Sequence, residues 1–172
     1  LTGGLIQAER GRDAEAARAP ARALDLFEGV LGRDLPTLAY PLDGLAHSRL
    51  RTGDLDEALR LHERALAVRE AALGKDHPEL LYSLSGLASV QRARGRLADA
   101  LALDTRALAL AEAAHGKEHP DLAAALAGPG ETHLAARRPA EAIAALERAL
   151  TLIAPDDRSP EHGPKLRFLL AR

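Results

Sequence analysis

Between Leu80 and Gln91 the apolar residues fall at Leu80, Leu84, Leu87 and Ala88, with Gln91 next on the same stripe. Spacings of three and four put them on one face of a helix. Pro78 stands where that helix would begin, its fixed φ and missing N–H both suited to a first turn. Gly95 stands where it would end, since glycine accepts the left-handed conformation just past a helix. A second stripe, Ala100, Leu103, Ala107, Leu108 and Ala111, predicts a partner helix from near Leu97. Gly116 closes it and Pro120 opens the next. The unit is a helical hairpin, with small alanines where its helices approach and leucines between units.

The hairpin recurs every 42 residues: LGRDLPTL starts at Leu31, LGKDHPEL at Leu73 and HGKEHPDL at His115. In the same register Gly11, Gly53 and Gly95 align with Arg137, and Ala16, Ala58, Ala100 and Ala142 with one another. Glu15, Glu57, Asp99 and Glu141 align too, as do Ala23-Leu24, Ala65-Leu66, Ala107-Leu108 and Ala149-Leu150. Such self-similarity predicts an all-α solenoid in which each unit hides its apolar face against its neighbours. Residues 1–30 read as a partial first repeat, with 31–72 and 73–114 as full repeats. Residues 115–156 read as a degenerate repeat, and 157–172 as a breaker loop followed by a truncated terminal helix around Leu166, Phe168 and Leu169.

Composition supports helices. Nearly half of the 172 residues are apolar, but with only two Tyr and two Phe the set is dominated by helix-favouring Ala and Leu. No Cys is present, which removes disulfides and thiolate metal sites and is compatible with the reducing cytoplasm, the expected location. A formal charge of −2 offers no general attraction to nucleic acid or to anionic lipid. No apolar run approaches the ~18 residues that span a bilayer. Basic residues at the ends of first helices (Arg49, Arg51, Arg92, Arg94) and acids at the starts of second helices (Glu57, Asp99, Glu141) match the helix dipoles.

Candidate chemistry is sparse. In AGPGETH, Gly128 to His133 suggest a phosphate loop, but no Lys follows and no strand precedes. The stretch reads better as a first helix interrupted by Pro129, the weakest joint of the array. His115 and His119 are four apart, yet Gly116 and Pro120 interrupt the helix that would align them, and His62-Glu63 lacks the second His of a zinc-protease motif. No metal or other cofactor is expected, and loop His77 and His119 read as capping or packing residues. No serine sits in a nucleophile elbow. The segment is not expected to be an enzyme.

The pattern G-x-L-x-[DE]-A-L-x5-A-L, preceded by L-x-x-L-A, resembles the tetratricopeptide repeat, with Leu84, Leu87, Ala88, Gly95, Ala100, Ala107 and Leu108 in its signature positions. The unit is longer than the usual ~34 residues and opens L-G-x-[DE]-H-P, which is similar to the kinesin-light-chain type. The resemblance implies a right-handed α-solenoid whose first helices line a groove for a protein or peptide partner. The groove would present Tyr40, Asp43, His47 and Leu50, then Tyr82, Ser85, Ser89 and Arg92, then Ala124, Ala127, Glu131 and Leu134. Kinesin-light-chain repeats often place paired Asn where this chain has Asp43-Gly44, Ser85-Gly86 and Ala127-Gly128. The end of the sequence, P-E-x3-K-L-R-F-x-L-A-R, is similar to the carboxyl ends of some bacterial serine/threonine kinases with trailing repeat arrays. The expected function is a non-catalytic scaffold within a larger bacterial signalling protein. The alternative is an internal regulator of an attached ATP-dependent kinase domain. So short an array also exposes apolar end faces that would favour self-association.

Overall fold

The computed structural model describes residues 36–153 together with Arg22, Leu26 and Gly29. The expected partial first repeat and the terminal helix of 157–172 lie outside the described residues. Within them, a 3-10 turn (Pro36–Leu38) leads into α1 (Ala39–Thr52), α2 (Leu55–Leu73), α3 (Leu80–Ala93), α4 (Leu97–His115), α5 (Leu122–Ala135) and α6 (Pro139–Leu152). No strand occurs among the described residues. They fall into two compact units that divide between Val90 and Gln91.

The helix ends follow the repeat. Past α1, Gly53 is left-handed at φ 86°; its N–H reaches Leu50 O at 3.1 Å, and the Asp54 N–H reaches Arg49 O at 2.9 Å. This pair of bonds satisfies carbonyls that a helix end leaves open. Gly95 repeats it at φ 74°, with bonds to Arg92 O and from Arg96 to Gln91 O. The third instance is made by Arg137, left-handed at φ 57°. An L-residue there costs roughly 1–2 kcal/mol. At the starts, His77 Nδ1 accepts the Glu79 N–H and His119 Nδ1 accepts the Asp121 N–H, each at 3.2 Å. The loop histidines are caps, with Pro78 and Pro120 following them in the first turn.

In the first unit Leu38, Leu42, Leu45, Leu61 and Ala65 make the core. Leu110, Leu122, Leu126 and Leu146 are buried in the second, each such side chain worth about 1.5–3 kcal/mol. The aligned alanines 58, 100 and 142, and 65, 107 and 149, are all buried, as close approach of the paired helices requires.

Glycines open notches for side chains of adjacent helices. A Cβ on Gly86 of α3 would lie 2.2 Å from the His62 ring on α2. One on Gly128 of α5 would lie 2.5 Å from Asp104 Oδ1 on α4, and one on Gly130 would lie 2.7 Å from Leu146 on α6. Within AGPGETH the glycines are therefore packing surfaces inside a helix. Contrary to the sequence expectation, Pro129 does not interrupt α5, which runs from Leu122 to Ala135 with the proline buried. Its missing N–H and its ring still weaken the ladder there, by ~3 kcal/mol in a typical helix interior; the enclosing contacts hold the helix together.

The notch at Gly128 seats a polar cluster. Arg92 Nη1 lies 3.2 Å from Asp104 Oδ2 and donates to Thr132 Oγ1 at 3.1 Å, while Nη2 reaches Glu131 Oε2 at 2.9 Å. Thr132 in turn donates to Asp104 Oδ2. Burial pushes the Asp104 carboxyl above its ordinary 3.8. The Thr132 hydroxyl and Arg92 pull it down and Glu131 pushes it up, but burial wins. The ion pair does not fully repay its desolvation, the usual balance for buried pairs.

Three outcomes are expected. Amide exchange over 122–136 should outpace that over 80–94; equal protection would show that Pro129 costs α5 nothing. Arg137→Gly should raise the unfolding free energy by up to about 1 kcal/mol once the entropy of a new glycine is subtracted, read as a higher denaturant midpoint; an unmoved or lower midpoint would count against strain at Arg137. A carboxyl with a raised native pKa is stabilising when protonated, fully so below the unfolded-state pKa, and loses that benefit as pH rises through the native pKa. The stability of wild type relative to Asp104→Asn should therefore increase on acidification from neutrality towards pH 3.8. A constant difference across that window would contradict the raised pKa.

Candidate functional site

Tyr40 and Tyr82 occupy the same register position in the first turns of α1 and α3, and both lie in the first unit. Their ring centroids are 6.2 Å apart with planes at 57°, inside the 4.5–7 Å range of attractive aromatic pairs. They stay 56% and 61% exposed, the most exposed of any large apolar side chains on α1–α6. Beneath them lies Arg69, contributed by α2 and only 1% exposed. Its guanidinium carbon is 5.1 Å from the Tyr40 centroid and 5.9 Å from that of Tyr82, within cation–π range of both. Two large rings are thus fixed from below while their outer surfaces meet solvent.

A polar network sets the cation. Arg69 Nη1 donates to Asp43 Oδ2 and to Ser83 Oγ. The Ser83 hydroxyl lies 3.2 Å from each Asp43 oxygen, and His62 Nδ1 lies 2.8 Å from Asp43 Oδ1. A carboxylate only accepts, so His62 carries its proton on Nδ1. Its Nε2 is buried against the Gly86 notch with no hydrogen-bond partner, as are Arg69 Nε and Nη2. The guanidinium beneath the Tyr pair is thus already paired with a carboxylate.

Ser83, Asp43 and His62 are the residue types of a hydrolytic triad, but their connectivity is wrong for one. In a triad the histidine stands between serine and acid so that it can take the serine proton. Here the acid stands between, and Ser83 is fully buried. The cluster is structural.

The predicted groove residues divide. Tyr40, His47, Tyr82 and Ser85 are exposed. Ser89 is half-buried and its hydroxyl donates to Ser85 O at 2.9 Å. Asp43 departs from the expectation: it faces inward, held by Arg69, His62 and Ser83, and does not stand free as a clamp for a peptide backbone. Arg92 and Glu131 likewise pair with each other in the second unit's cluster, and Ala127 is buried. A second departure concerns His115 and His119. The turn made by Gly116 brings them together where separation was expected, their rings stacked with centroids 5.0 Å apart.

Sequence reasoning missed Arg69, His62 and Ser83. A signal was available in the register, where Arg69 aligns with Phe27, Ala111 and Ile153, and Ser83 with Pro41 and Ala125. A polar residue in an otherwise non-polar row marks an internal network.

The tetratricopeptide repeat family matches residues 37–113 and again residues 80–153. No curated protein matches the chain. Among solved structures, the fold is similar to nearly identical TPR-like repeats described as a kinesin light chain of Podosopora anserina. The TM-score is 0.72 at 24% identity, over 98% of this chain and 82% of that one. A single-substitution form of the same repeats gives 0.73 at 24% identity, over 98% and 81%. BtubC (BKLC) from P. vanneervenii gives 0.76 at 19% identity, over 95% of this chain and 66% of that one. With overlapping family matches from residue 37 to 153 laid over helical hairpins in a 42-residue register, the chain belongs to the tetratricopeptide repeat family, as an all-α solenoid.

Proposed function

We propose that this segment is a non-catalytic scaffold that docks a protein or peptide partner on the surface built around Tyr40 and Tyr82. The family supports it, since tetratricopeptide repeats generally bind proteins. The observation that carries it is the exposed tyrosine pair seated on buried Arg69. Tyrosine offers large, stiff contact area with a polar tip, and interface hot spots are enriched in it. Rings already fixed by a cation beneath lose little freedom on binding, which raises the share of contact energy that appears as affinity. His47 and Ser85, exposed on the same two helices, would supply polar rim contacts. Rings whose supporting cation is already paired with Asp43 favour an apolar or proline-bearing segment over a strongly charged one. A bacterial, cytoplasmic signalling protein is the proposed setting, the one suggested by the resemblance of P-E-x3-K-L-R-F-x-L-A-R at 160–172 to kinase-linked arrays.

Recovery of a bound partner in a pull-down should fall at least tenfold for the double variant Tyr40→Ala, Tyr82→Ala, the scale expected when two hot-spot residues are truncated. The double variant Tyr40→Phe, Tyr82→Phe should retain most of it, because the ring faces remain. Equal recovery by wild type and by a folded double-alanine variant would sink the assignment.

A further inference from the structure

We propose that His115, His119 and Asp121 form a binding site for one divalent first-row transition ion, with Zn2+ as its probe. One ligand atom from each residue lies within 4.8 Å of the other two. His119 Nδ1 is 3.6 Å from Asp121 Oδ2, too long for a hydrogen bond. A tetrahedral ion with bonds of about 2.0–2.2 Å holds neighbouring ligand atoms roughly 3.3–3.6 Å apart. That pair is already at coordination distance, and His115, exposed at the end of α4, closes the remainder by rotamer adjustment. Two imidazoles and one carboxylate suit zinc, nickel or copper and not the oxygen-seeking calcium or magnesium. Three protein ligands leave a position open to water or to a side chain of a docked partner.

The loop is braced for this. Arg148 of α6 donates to Lys117 O at 3.2 Å and pairs with Glu112 Oε1 at 2.7 Å, tying both flanks of His115 to a helix. Gly116, at φ 83°, folds the chain back so that the His119 ring stacks on His115 at 29°. The dipole of α4 favours a cation beside His115 and that of α5 opposes one beside Asp121, so the ligand atoms decide. Metal at Nδ1 of His119 displaces only the exposed Asp121 N–H, which water can satisfy.

The repeat supplies its own control. The corresponding positions are Leu31, Leu35 and Thr37 in the first full repeat, and Leu73, His77 and Glu79 in the second. Only the third carries three donors of this kind. His115→Leu therefore installs a residue that the sibling loop ending α2 already accommodates, and the fold should survive it. Calorimetric titration of the tag-free chain with Zn2+ should show one site. Co2+ should give visible absorption with nitrogen-ligand character. His115→Leu should weaken Zn2+ at least about 10-fold, and His77→Gln should leave it unchanged. Affinity should fall on acidification, because protons compete with the metal for the ligand nitrogens. No Zn2+ binding by wild type, undiminished binding by His115→Leu, or an equal loss in His77→Gln would each overturn the site.

Discussion

The absence of a Cβ at Gly86 and Gly128 is the constraint on which the rest of the structure depends. Each glycine receives a polar side chain from the preceding helix, His62 in one unit and Asp104 in the other. A methyl group at either position would meet that side chain at 2.2–2.5 Å, so the helix would have to back away or the side chain leave its partners. Overpacking of this order costs about 1–3 kcal/mol in a well-packed core. In the first unit the same close approach holds α3 against α2, and with it the Tyr82 ring beside Tyr40. The aromatic surface is thus a consequence of a missing carbon atom on the buried side of the same helix.

Charge is handled differently in the two units, and the difference is set by what surrounds each acid. Asp43 receives three donors, from Arg69, His62 and Ser83, and keeps partial access to solvent. Asp104 is almost wholly enclosed and shares Arg92 with Glu131. Burial, with a smaller push from the second carboxylate Glu131, holds the Asp104 carboxyl above its ordinary range. Neither cluster offers a free charge to a ligand, since each cation is already spoken for by its acid. Both act to fix which helix face meets which, a role in which buried polar groups contribute specificity more than stability.

The architecture was legible because repetition amplifies weak local signals. One glycine past a helix is an ambiguous mark, but Gly53 and Gly95 in register with matched alanine rows are not. Capping by His77 and His119 followed from the same logic, a histidine before a proline at the start of an apolar stripe. The site was only half legible. Tyr40 and Tyr82 stood out as the sole tyrosines and as register partners, whereas the groove implied by the resemblance, carried along the register, included Asp43, Arg92 and Ala127. A register places a residue on a helix; it does not show that α2 sends Arg69 across to claim Asp43, or that Glu131 turns to Arg92. The Pro129 expectation failed for a related reason. Propensity prices an isolated helix, and packing around α5 outweighs one lost bond and a ring clash.

Much of what the repeat holds constant is structural, and much of the chemistry lies in what varies between copies. Alanines 58, 100 and 142 do one job three times and offer a ligand nothing. At the position shared by His62, Asp104 and Leu146 the side chain changes character from copy to copy: His62 and Asp104 meet Gly86 and Gly128 on the following helix, whereas Leu146 meets Gly130 on the preceding one. Arg137 is a departure of another kind: it stands where glycine is wanted, keeps both backbone bonds of the turn and bears the strain. The loop residues 115–121 sit at the opposite extreme, all of them exposed, where selection by packing is weakest and donor atoms can accumulate without disturbing a helix. The proposed partner surface joins a residue that two copies share, Tyr40 and Tyr82, to one that departs from its row, Arg69, and the proposed metal seat arises where the third loop departs from its siblings.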